Sequence, residues 1–204
     1  MTKLHSPLPD CFDTTIIEAG CDEAGRGCLA GPVFAAAVIL PHGFTHKWLN
    51  DSKQISESRR NELRRIIESE AVAWAVGIVD NTEIDRINIL NASILAMHRA
   101  LDALNTPPQA IIVDGNRFKP YKDIPYTTFV KGDGRFGNIA AASILAKTHR
   151  DEYMVNAHAQ YPHYGWDVNK GYPTRAHRTG IEIHGPSPLH RMSFRLIDTQ
   201  LTLF

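Results

Sequence analysis

The sequence has little of what marks an exported or membrane-embedded protein. No apolar run approaches the roughly 20 residues that cross a bilayer. Its first ten residues lack the apolar region of a secretory leader. Only three cysteines occur, Cys11, Cys21 and Cys28, without a CxxC pair and with one thiol left over from any pairing. The simplest interpretation is a protein of the reducing cytoplasm, and we expect no membrane partner.

Net charge is absent as well, because 22 Lys and Arg balance 22 Asp and Glu. This balance at first argues against a nucleic-acid partner. However, residues 115–204 hold 12 basic and 7 acidic side chains, whereas residues 1–114 hold 10 basic and 15 acidic ones. An acidic half beside a basic half can form one site for a phosphate backbone. Taken alone, the split is better explained as chance asymmetry between two solvated surfaces.

One ordinary α/β domain fits the length of 204 residues and the 43% hydrophobic content. No repeat, biased segment or linker divides the chain. We expect two strands around residues 22–31, a helix from Ser56 to about residue 70, a strand at 71–79, and strands that lead into Asp114 and Asp133. This order predicts a mixed β-sheet with helices packed on it.

Three further segments are predicted to be helical. Thr82, with Asp85 three residues later, predicts the start of one continuous helix that runs to about Leu104. The Ala-rich stretch 139–147 predicts a buried helix that continues towards residue 158. Residues 161–188 are rich in Pro, Gly, His and aromatics, which indicates a long functional loop with a short helix. We therefore interpret residues 1–204 as a single domain in which residues 161–204 form a small helical, substrate-binding extension.

Four carboxylates stand where three of the predicted strands end. Asp22 and Glu23 close the first strand region, and Asp114 and Asp133 follow two later apolar runs. Each site adjoins a glycine-containing turn, so the side chains can converge at one sheet edge. Mg²⁺ prefers oxygen ligands, and two such ions roughly 4 Å apart can bracket the attacking and leaving oxygens of a phosphodiester. The pattern predicts a divalent-metal site.

Glu23 is harder to place than the other three acids. Neighbouring residues on a regular strand point to opposite faces, so we expect Glu23 to lie past the strand end or to contribute its backbone carbonyl. A single Asp–Gly pair is more often a turn than a site, but for Asp114 alone the two interpretations are equally open, because loop residues after strands are common sites. The carboxylate pair followed directly by Gly25, Arg26 and Gly27 has no evident structural purpose, and this combination favours a functional interpretation.

Residues 22–33 (DEAGRGCLAGPV) closely resemble the first signature of the ribonuclease HII family, the type 2 ribonucleases H. Five further blocks resemble later family segments and occur in family order, covering about residues 16–195. They are Asp51-Ser52-Lys53, residues 113–116, residues 131–133 with 139–147, residues 171–174 and residues 190–194. The resemblance implies a ribonuclease H-like mixed β-sheet flanked by helices.

The resemblance also implies an activity and a set of site residues. It implies an endoribonuclease that cleaves RNA in RNA–DNA hybrids and incises 5′ of single ribonucleotides in duplex DNA, leaving 3′-hydroxyl and 5′-phosphate ends. It implies that Mg²⁺ or Mn²⁺ is the cofactor, with two ions present when substrate is bound. Nothing in the sequence demands more than a monomer. The implied metal-binding and catalytic acids are Asp22, Glu23, Asp114 and Asp133. The implied substrate-binding residues are Gly25, Arg26, Gly27 and Tyr172.

Other candidate substrate contacts have plain alternatives. Lys53, Ser143 and Lys147 are candidate phosphate contacts, with solvated or helix-surface roles equally open for the lysines. Arg191 is a candidate for gripping the duplex farther away, and for it a solvated or surface role is the better explanation. Without the resemblance, Tyr172 is better explained as an aromatic ring that covers the edge of the core.

A few residues depart from the family pattern or lie beside it. Cys28 stands where the family often has proline, and we expect altered turn rigidity without loss of chemistry. Asp151, inside a predicted helix, is better explained as a paired structural acid than as a fifth ligand. The ten histidines show no zinc-site spacing. For three of them, His177, His184 and His190, we expect solvated or phosphate-facing positions.

Three rival functions are open to the sequence. A DNA-cleaving nuclease of the same broad fold would not need Gly25, Gly27 and Tyr172 to test for a ribose. A non-catalytic nucleic-acid-binding module would not need four intact acids. A phosphatase for small molecules would not need the basic C-terminal half.

Overall fold

The computed structural model describes residues 8–49 and 55–197. In this part of the chain, five strands form one sheet in the order β3-β2-β1-β4-β5. β2 pairs antiparallel with β1 and β3, whereas β4 pairs parallel with β1 and β5. The strands are β1 (Glu18–Ala24), β2 (Val33–Ile39), β3 (Ala73–Val79), β4 (Ala110–Asp114) and β5 (Tyr126–Phe129). The predicted mixed sheet is confirmed.

Helices cover both faces of this sheet. They are α1 (Glu57–Glu70), α2 (Asn81–Ile87), α3 (Ile89–Asp102), α4 (Gly137–His158), α5 (Trp166–Asn169) and α6 (Arg175–His184). Short 3₁₀ turns occur at Gly132–Gly134 and Pro162–Tyr164. Ser56 caps α1 as the sequence predicts, because its side chain accepts the Arg59 N–H. Within the described ranges, none of the helices has the length and apolar character needed to span a membrane.

The expectation of one long helix starting at Thr82 is wrong. Asp80 is the N-cap, since its carboxylate accepts the Glu83 N–H at 2.8 Å. The helix then breaks at Asn88, which has a positive φ of 67° and whose side chain caps α3 by accepting the Asn91 N–H. A positive φ is uncommon outside glycine, and asparagine is one of the residues in which it occurs most often. One residue therefore both ends α2 and starts α3.

Strand β2, which lies between β3 and β1, is buried on both faces. Val33, Ala35, Ala37 and Ile39 contact the layer made by α2 and α3, whereas Ala36 and Val38 contact the layer that contains α1 and α4. A continuous apolar strand is the expected pattern for two covered faces. The sheet therefore has a rigid helix layer on each side, which fixes the ends of its strands.

Helix α4 lies unusually close to β1. A Cβ atom built on Gly20 would overlap the backbone of Asn138 and Ile139 at the start of the helix. The Asn138 amide also donates to the Glu18 carbonyl and accepts the Leu40 N–H, both at 2.8 Å. These contacts fasten α4 to β1 and β2 and hold its side chains against the strand that carries Asp22.

The C-terminal helical segment packs on the loop that follows β1. Tyr164, Trp166 and Ile181 form a small core with Leu29, Ala30 and Met154. Backbone hydrogen bonds of 2.8 Å join this loop to the segment: Leu29 N–H to the Gly171 carbonyl, Gly31 N–H to the Leu189 carbonyl, and Arg191 N–H to the Leu29 carbonyl. The loop of residues 25–32 is therefore held between the sheet and the C-terminal segment.

Candidate active site

Asp22 and Glu23 lie within β1, which continues to Ala24. The expectation that Glu23 lies past the strand end is therefore wrong. The two side chains follow the normal alternation of a strand. Asp22 hydrogen-bonds with Ser143 of α4, whereas Glu23 lines a small cavity of about 50 Å³ with Asp114 and with Ser93 of α3. One strand thus presents a carboxylate to each face at the same sheet edge.

Asp114 is the last residue of β4, beside Asp22. Cys21 and Val113 are partners in the parallel pairing of β1 with β4, so the next residue on each strand is an acid. Asp114 Oδ1 accepts the Gly132 N–H at 2.7 Å. The carboxylate therefore holds the turn that carries Asp133.

Asp133 does not end a strand, contrary to the sequence-based expectation. β5 stops at Phe129, Lys131 adopts a left-handed conformation (φ 57°), and Asp133 lies buried in the 3₁₀ turn Gly132–Gly134 that leads into α4. The chain reverses here because Lys131 interrupts the extended backbone. All four acids still lie along the edge formed by the ends of β1 and β4 and by this turn.

Three of the acids, Asp22, Glu23 and Asp114, interact electrostatically. Burial raises the pKa of the Asp22 carboxyl well above its usual range, and the neighbouring Glu23 and Asp114 carboxylates raise it further. Burial also raises the pKa of Glu23, although the Arg26 guanidinium, 3.0 Å from Glu23 Oε1, opposes this change. Buried like charges are costly unless a cation compensates them. The cluster therefore has the electrostatic character of a cation site.

The oxygen ligands suit Mg²⁺ or Mn²⁺, but they do not close into a complete cage. Among the described residues, no three of the four acids bring ligand atoms within 4.8 Å of one another. Glu23 is instead paired with Arg26, and Asp114 accepts the Gly132 N–H. Mg²⁺ keeps several waters and uses substrate phosphate as a ligand, so an open set of carboxylates fits it.

Gly25 and Gly27 have different structural roles. Gly25 has a positive φ of 96°, and a Cβ there would overlap the Arg150 guanidinium. Gly27 faces open space, and a Cβ added there would have no neighbouring atom within 4 Å. The Arg26 side chain between them is half exposed. The fold thus requires glycine at position 25, whereas at position 27 glycine only leaves the backbone uncovered.

Two buried arginines, Arg150 and Arg191, hold the loop of residues 25–32 by hydrogen bonds to its backbone carbonyls. Arg150 donates to the carbonyls of Pro32, Lys170 and Ala30. Sequence reasoning missed Arg150, and the available signal was an arginine within an Ala-rich buried helix. Its acceptors are backbone carbonyls at the loop and beside Tyr172, so the guanidinium joins these two segments.

The prediction that Arg191 grips the duplex is wrong. Its side chain is completely buried, with Nε donating to the Gly31 carbonyl and Nη1 to the Arg26 carbonyl. Burial and the nearby Arg150 charge lower its pKa to about 10, so the guanidinium stays charged at neutral pH. Arg191 shapes the loop and adds positive charge beneath it.

Tyr172 lies at the edge of the same loop and is 38% exposed. Its ring is 5.5 Å from Lys147 Nζ and 5.9 Å from Arg150 Cζ. Burial and the adjacent Cys28 thiol raise the pKa of its hydroxyl. The hydroxyl is therefore protonated at neutral pH and can donate a hydrogen bond.

The remaining candidate contacts have mixed outcomes. Ser143 is buried and bonds to Asp22, so it orients a carboxylate and does not face a phosphate. Lys147 pairs with Asp151 at 2.7 Å, which makes Asp151 a paired structural acid, as its place in a predicted helix indicates. Lys53 lies outside the described residues.

Buried histidines support Tyr172 from the C-terminal segment. His177 and His190 are 0% and 1% exposed, which contradicts their expected solvated positions, whereas His184 is exposed. His177 Nδ1 lies 2.9 Å from the Tyr172 carbonyl and must donate to it. Its Nε2 then accepts from Trp166 Nε1 and His190 Nε2, at 3.0 and 3.1 Å. This network assigns neutral tautomers to both rings.

We expect the histidine pair to make folding stability depend on pH. Burial lowers the pKa of His190 from 6.5 to about 4 and also lowers that of His177. Below pH 6.5 the unfolded chain takes up protons that the folded chain excludes. The contribution of neutral His190 to folding stability is fully present above pH 6.5 and is lost as the pH falls towards 4, by up to about 1.4 kcal/mol per pH unit. The lowered pKa of His177 acts in the same direction.

Urea unfolding at neutral pH and at about pH 5 measures this dependence. His190→Asn should reduce the loss of unfolding free energy between the two pH values, whereas the exposed control His184→Asn should not. An unchanged pH dependence in His190→Asn would contradict the assignment.

Comparisons with known proteins agree with one another. The sequence model of the family described as Ribonuclease HII matches residues 19–197. The chain is 65% identical over 190 residues to Ribonuclease HII of Bacteroides fragilis, covering 93% of this chain and 94% of that protein. It is 64% identical over 184 residues to Ribonuclease HII of Phocaeicola vulgatus, covering 90% and 92%.

A solved structure shows a similar fold. The ribonuclease H2 from Pyrococcus horikoshii OT3 matches with a TM-score of 0.73 and 24% identity, covering 88% of this chain and 94% of that one. At this identity the likeness concerns the fold alone, an α/β mixed sheet of the ribonuclease H type.

Proposed function

The chain belongs to the ribonuclease HII family, and from this premise we propose that it incises duplex DNA on the 5′ side of single embedded ribonucleotides. Its family and its fold make it a ribonuclease H, an endoribonuclease that acts on RNA–DNA hybrids. The proposed products carry 3′-hydroxyl and 5′-phosphate ends. The observation that carries the proposal is the coupled acid cluster beside a loop with an uncovered backbone.

We propose that Asp22, Glu23, Asp114 and Asp133 hold the catalytic metal ions. The burial of Asp22 and Asp133 and the repulsion among Asp22, Glu23 and Asp114 support this role, and Arg26 offsets only part of the negative charge. Bound Mg²⁺ or Mn²⁺, as two ions with substrate, supplies water activation and stabilises the departing 3′-oxygen. Ser143 keeps Asp22 oriented, and the Gly132 N–H keeps Asp114 oriented.

Recognition of the ribose is assigned to the loop and to Tyr172. Only the 2′-hydroxyl distinguishes a ribonucleotide from a deoxyribonucleotide at one position. The backbone at Gly25, Arg26 and Gly27 can approach the nucleotide, since Gly27 has open space beside it. The protonated Tyr172 hydroxyl can donate a hydrogen bond to the 2′-hydroxyl of a ribose. A deoxyribose leaves the polar groups of this site without that partner, which lowers activity on DNA.

Contacts with the rest of the duplex come from basic residues around this site. Lys147 lies between Asp151 and the Tyr172 ring, where it can reach a phosphate. The buried charges of Arg150 and Arg191 add positive potential beneath the loop. We propose that Lys53 and the C-terminal segment of residues 161–204 extend this surface along the duplex.

The proposed setting is a cytoplasmic monomer. All three cysteines are free and buried, which suits a reducing compartment.

A labelled DNA duplex with one ribonucleotide tests the proposal directly. We expect incision at its 5′ side with Mg²⁺ or Mn²⁺, and none of an otherwise identical all-DNA duplex. Cleavage of the all-DNA duplex would instead support a DNA nuclease of this fold. Binding without cleavage by folded protein under either metal would support a non-catalytic binding module.

Substitutions at the two loop glycines, Gly25 and Gly27, distinguish an effect on substrate recognition from an effect on folding. We expect Gly27→Ala to keep the melting temperature close to that of the wild type, because its Cβ meets open space. The same change should lower kcat/KM for the ribonucleotide duplex by about tenfold or more, as an added methyl covers the approached backbone.

Gly25→Ala provides the contrast. Its Cβ would overlap Arg150 at a positive φ, so it should lower the melting temperature as well as activity. Circular dichroism melts and steady-state kinetics measure both effects. Full activity in a stable Gly27→Ala protein would contradict the proposed approach of substrate to this backbone.

A further inference from the structure

A second group of metal-ligand side chains lies away from the acidic cluster. Asp10, Cys11 and His42 each bring one ligand atom within 4.8 Å of the other two. Within residues 8–49 and 55–197, only this group of three or more His, Cys, Asp or Glu side chains meets that spacing. His42 Nδ1 lies 3.4 Å from Asp10 Oδ2. A thiol, an imidazole and a carboxylate are therefore collected at one point.

The group lies at the opposite end of the sheet from the acids. The Asp10 carbonyl accepts the Asn138 N–H at 2.7 Å, and the Asn138 side chain binds the Glu18 carbonyl at the start of β1. Glu18 and Asp22 are four residues apart on this strand, or about 13 Å. An ion held here would be separate from the proposed catalytic ions.

The surroundings resemble a half-enclosed cation site. A cavity of about 130 Å³ is lined by Cys11, Glu18, His42 and Asn138 together with apolar residues. Asp10 and Cys11 are 8% and 5% exposed, whereas His42 is exposed, so solvent can reach the group at His42. The Glu18 carboxylate is buried beside them. The negative charge of this pocket favours a cation.

We propose that Asp10, Cys11 and His42 bind one divalent ion of the zinc class, with a water as the fourth ligand. Thiolate sulfur and imidazole nitrogen suit Zn²⁺ or Co²⁺, whereas Mg²⁺ prefers oxygen ligands alone. Binding breaks the Cys11 S–H bond and releases its proton to solvent, while one sulfur, one nitrogen and one oxygen bond to the metal form. No electron is transferred.

Such an ion would cross-link distant parts of the chain. Asp10 and Cys11 belong to the segment before β1, and His42 belongs to the loop after β2. The same segment accepts the first N–H groups of α4 through the Pro9 and Asp10 carbonyls, each at 2.7 Å. Metal binding would therefore stabilise the attachment of α4, whose Ser143 orients Asp22, without entering the catalytic cluster.

Titration of the metal-free full-length chain with Co²⁺ tests the site. We expect one equivalent to produce a thiolate-to-cobalt charge-transfer band, which carboxylates cannot give. Zn²⁺ should abolish the band by displacement, whereas excess Mg²⁺ should not. One equivalent of Zn²⁺ should also raise the melting temperature by a few degrees (about 2–8 °C).

Variants distinguish metal binding at this site from metal binding elsewhere on the protein. Cys11→Ser should remove the band, and His42→Ala, an exposed change that leaves the core intact, should weaken Co²⁺ binding by about tenfold or more. Cys28→Ser, His46→Ala and Asp114→Asn should keep the band. A wild-type protein without the band, or a band that survives in Cys11→Ser and His42→Ala, would overturn the proposal. Neither result depends on nuclease activity.

Discussion

Asp114→Asn should reduce cleavage of the ribonucleotide duplex by about a thousandfold or more. A bound ion contributes several kcal/mol of transition-state stabilisation, and each 1.36 kcal/mol is tenfold in rate. The amide keeps an oxygen that can accept the Gly132 N–H, the contact that holds the turn of Asp133. The variant therefore removes a ligand charge while leaving the local structure in place. Single-turnover cleavage with saturating Mg²⁺ or Mn²⁺ measures the loss.

The same variant should not be less stable than the wild type in metal-free buffer. The Asp114 carboxylate raises the pKa of both Asp22 and Glu23, so its removal relieves repulsion between buried like charges. We expect an equal or higher melting temperature without metal and a smaller rise on adding Mg²⁺. This pair of results distinguishes a lost metal ligand from a damaged fold.

Asp123→Asn is the matched control, because Asp123 is an exposed acid on the loop between β4 and β5. It should leave activity and the Mg²⁺-induced stabilisation unchanged. Substantial residual cleavage by Asp114→Asn, above about a tenth of the wild-type rate, would argue that Asp114 does not bind the ions.

The strand ends that carry Asp22 and Asp114 were predicted well from the sequence, because each acid follows an apolar run typical of a strand. The apolar run before Asp114 becomes β4, and the pairing of β4 with β1 brings Asp114 beside Asp22. The turn to Asp133 escaped prediction, since a left-handed Lys131 has no strong sequence signal. The break at Asn88 was missed for a similar reason: a helical pattern of apolar residues continues through it.

The sequence-based prediction failed more seriously for the buried arginines and histidines. Local patterns treat arginine and histidine as solvated, because their burial is costly without partners. Arg150 is satisfied by carbonyls about 120 residues away along the chain, at Ala30 and Pro32. His190 is satisfied by His177 and Ser187. Such partners become visible only once the chain has folded, when α4 packs against the loop after β1 and the C-terminal segment packs on itself.

The second large effect should appear at the 2′-hydroxyl of the substrate. Replacing the single ribose by deoxyribose should lower kcat/KM by about 10⁴ or more, since a site built to pair a hydroxyl rejects the analogue that lacks it. Tyr172→Phe should remove part of this discrimination by lowering kcat/KM for the ribonucleotide duplex by about 10–100-fold. Cleavage of paired ribo and deoxyribo duplexes by both proteins measures the change.

The position of Tyr172 makes this variant informative. Its carbonyl is held by His177 and its ring lies beside Lys147 and Arg150, so phenylalanine can occupy the same place without the hydroxyl. Tyr153→Phe, on the exposed side of α4, should leave the kinetics unchanged. If Tyr172→Phe kept full activity, the ring would only cover the edge of the core. If it weakened binding of ribo and all-DNA duplexes equally, Tyr172 would contact the duplex without reading its sugar. A loss confined to the ribonucleotide duplex would leave ribose recognition as the remaining explanation, because only that substrate offers the missing hydroxyl a partner.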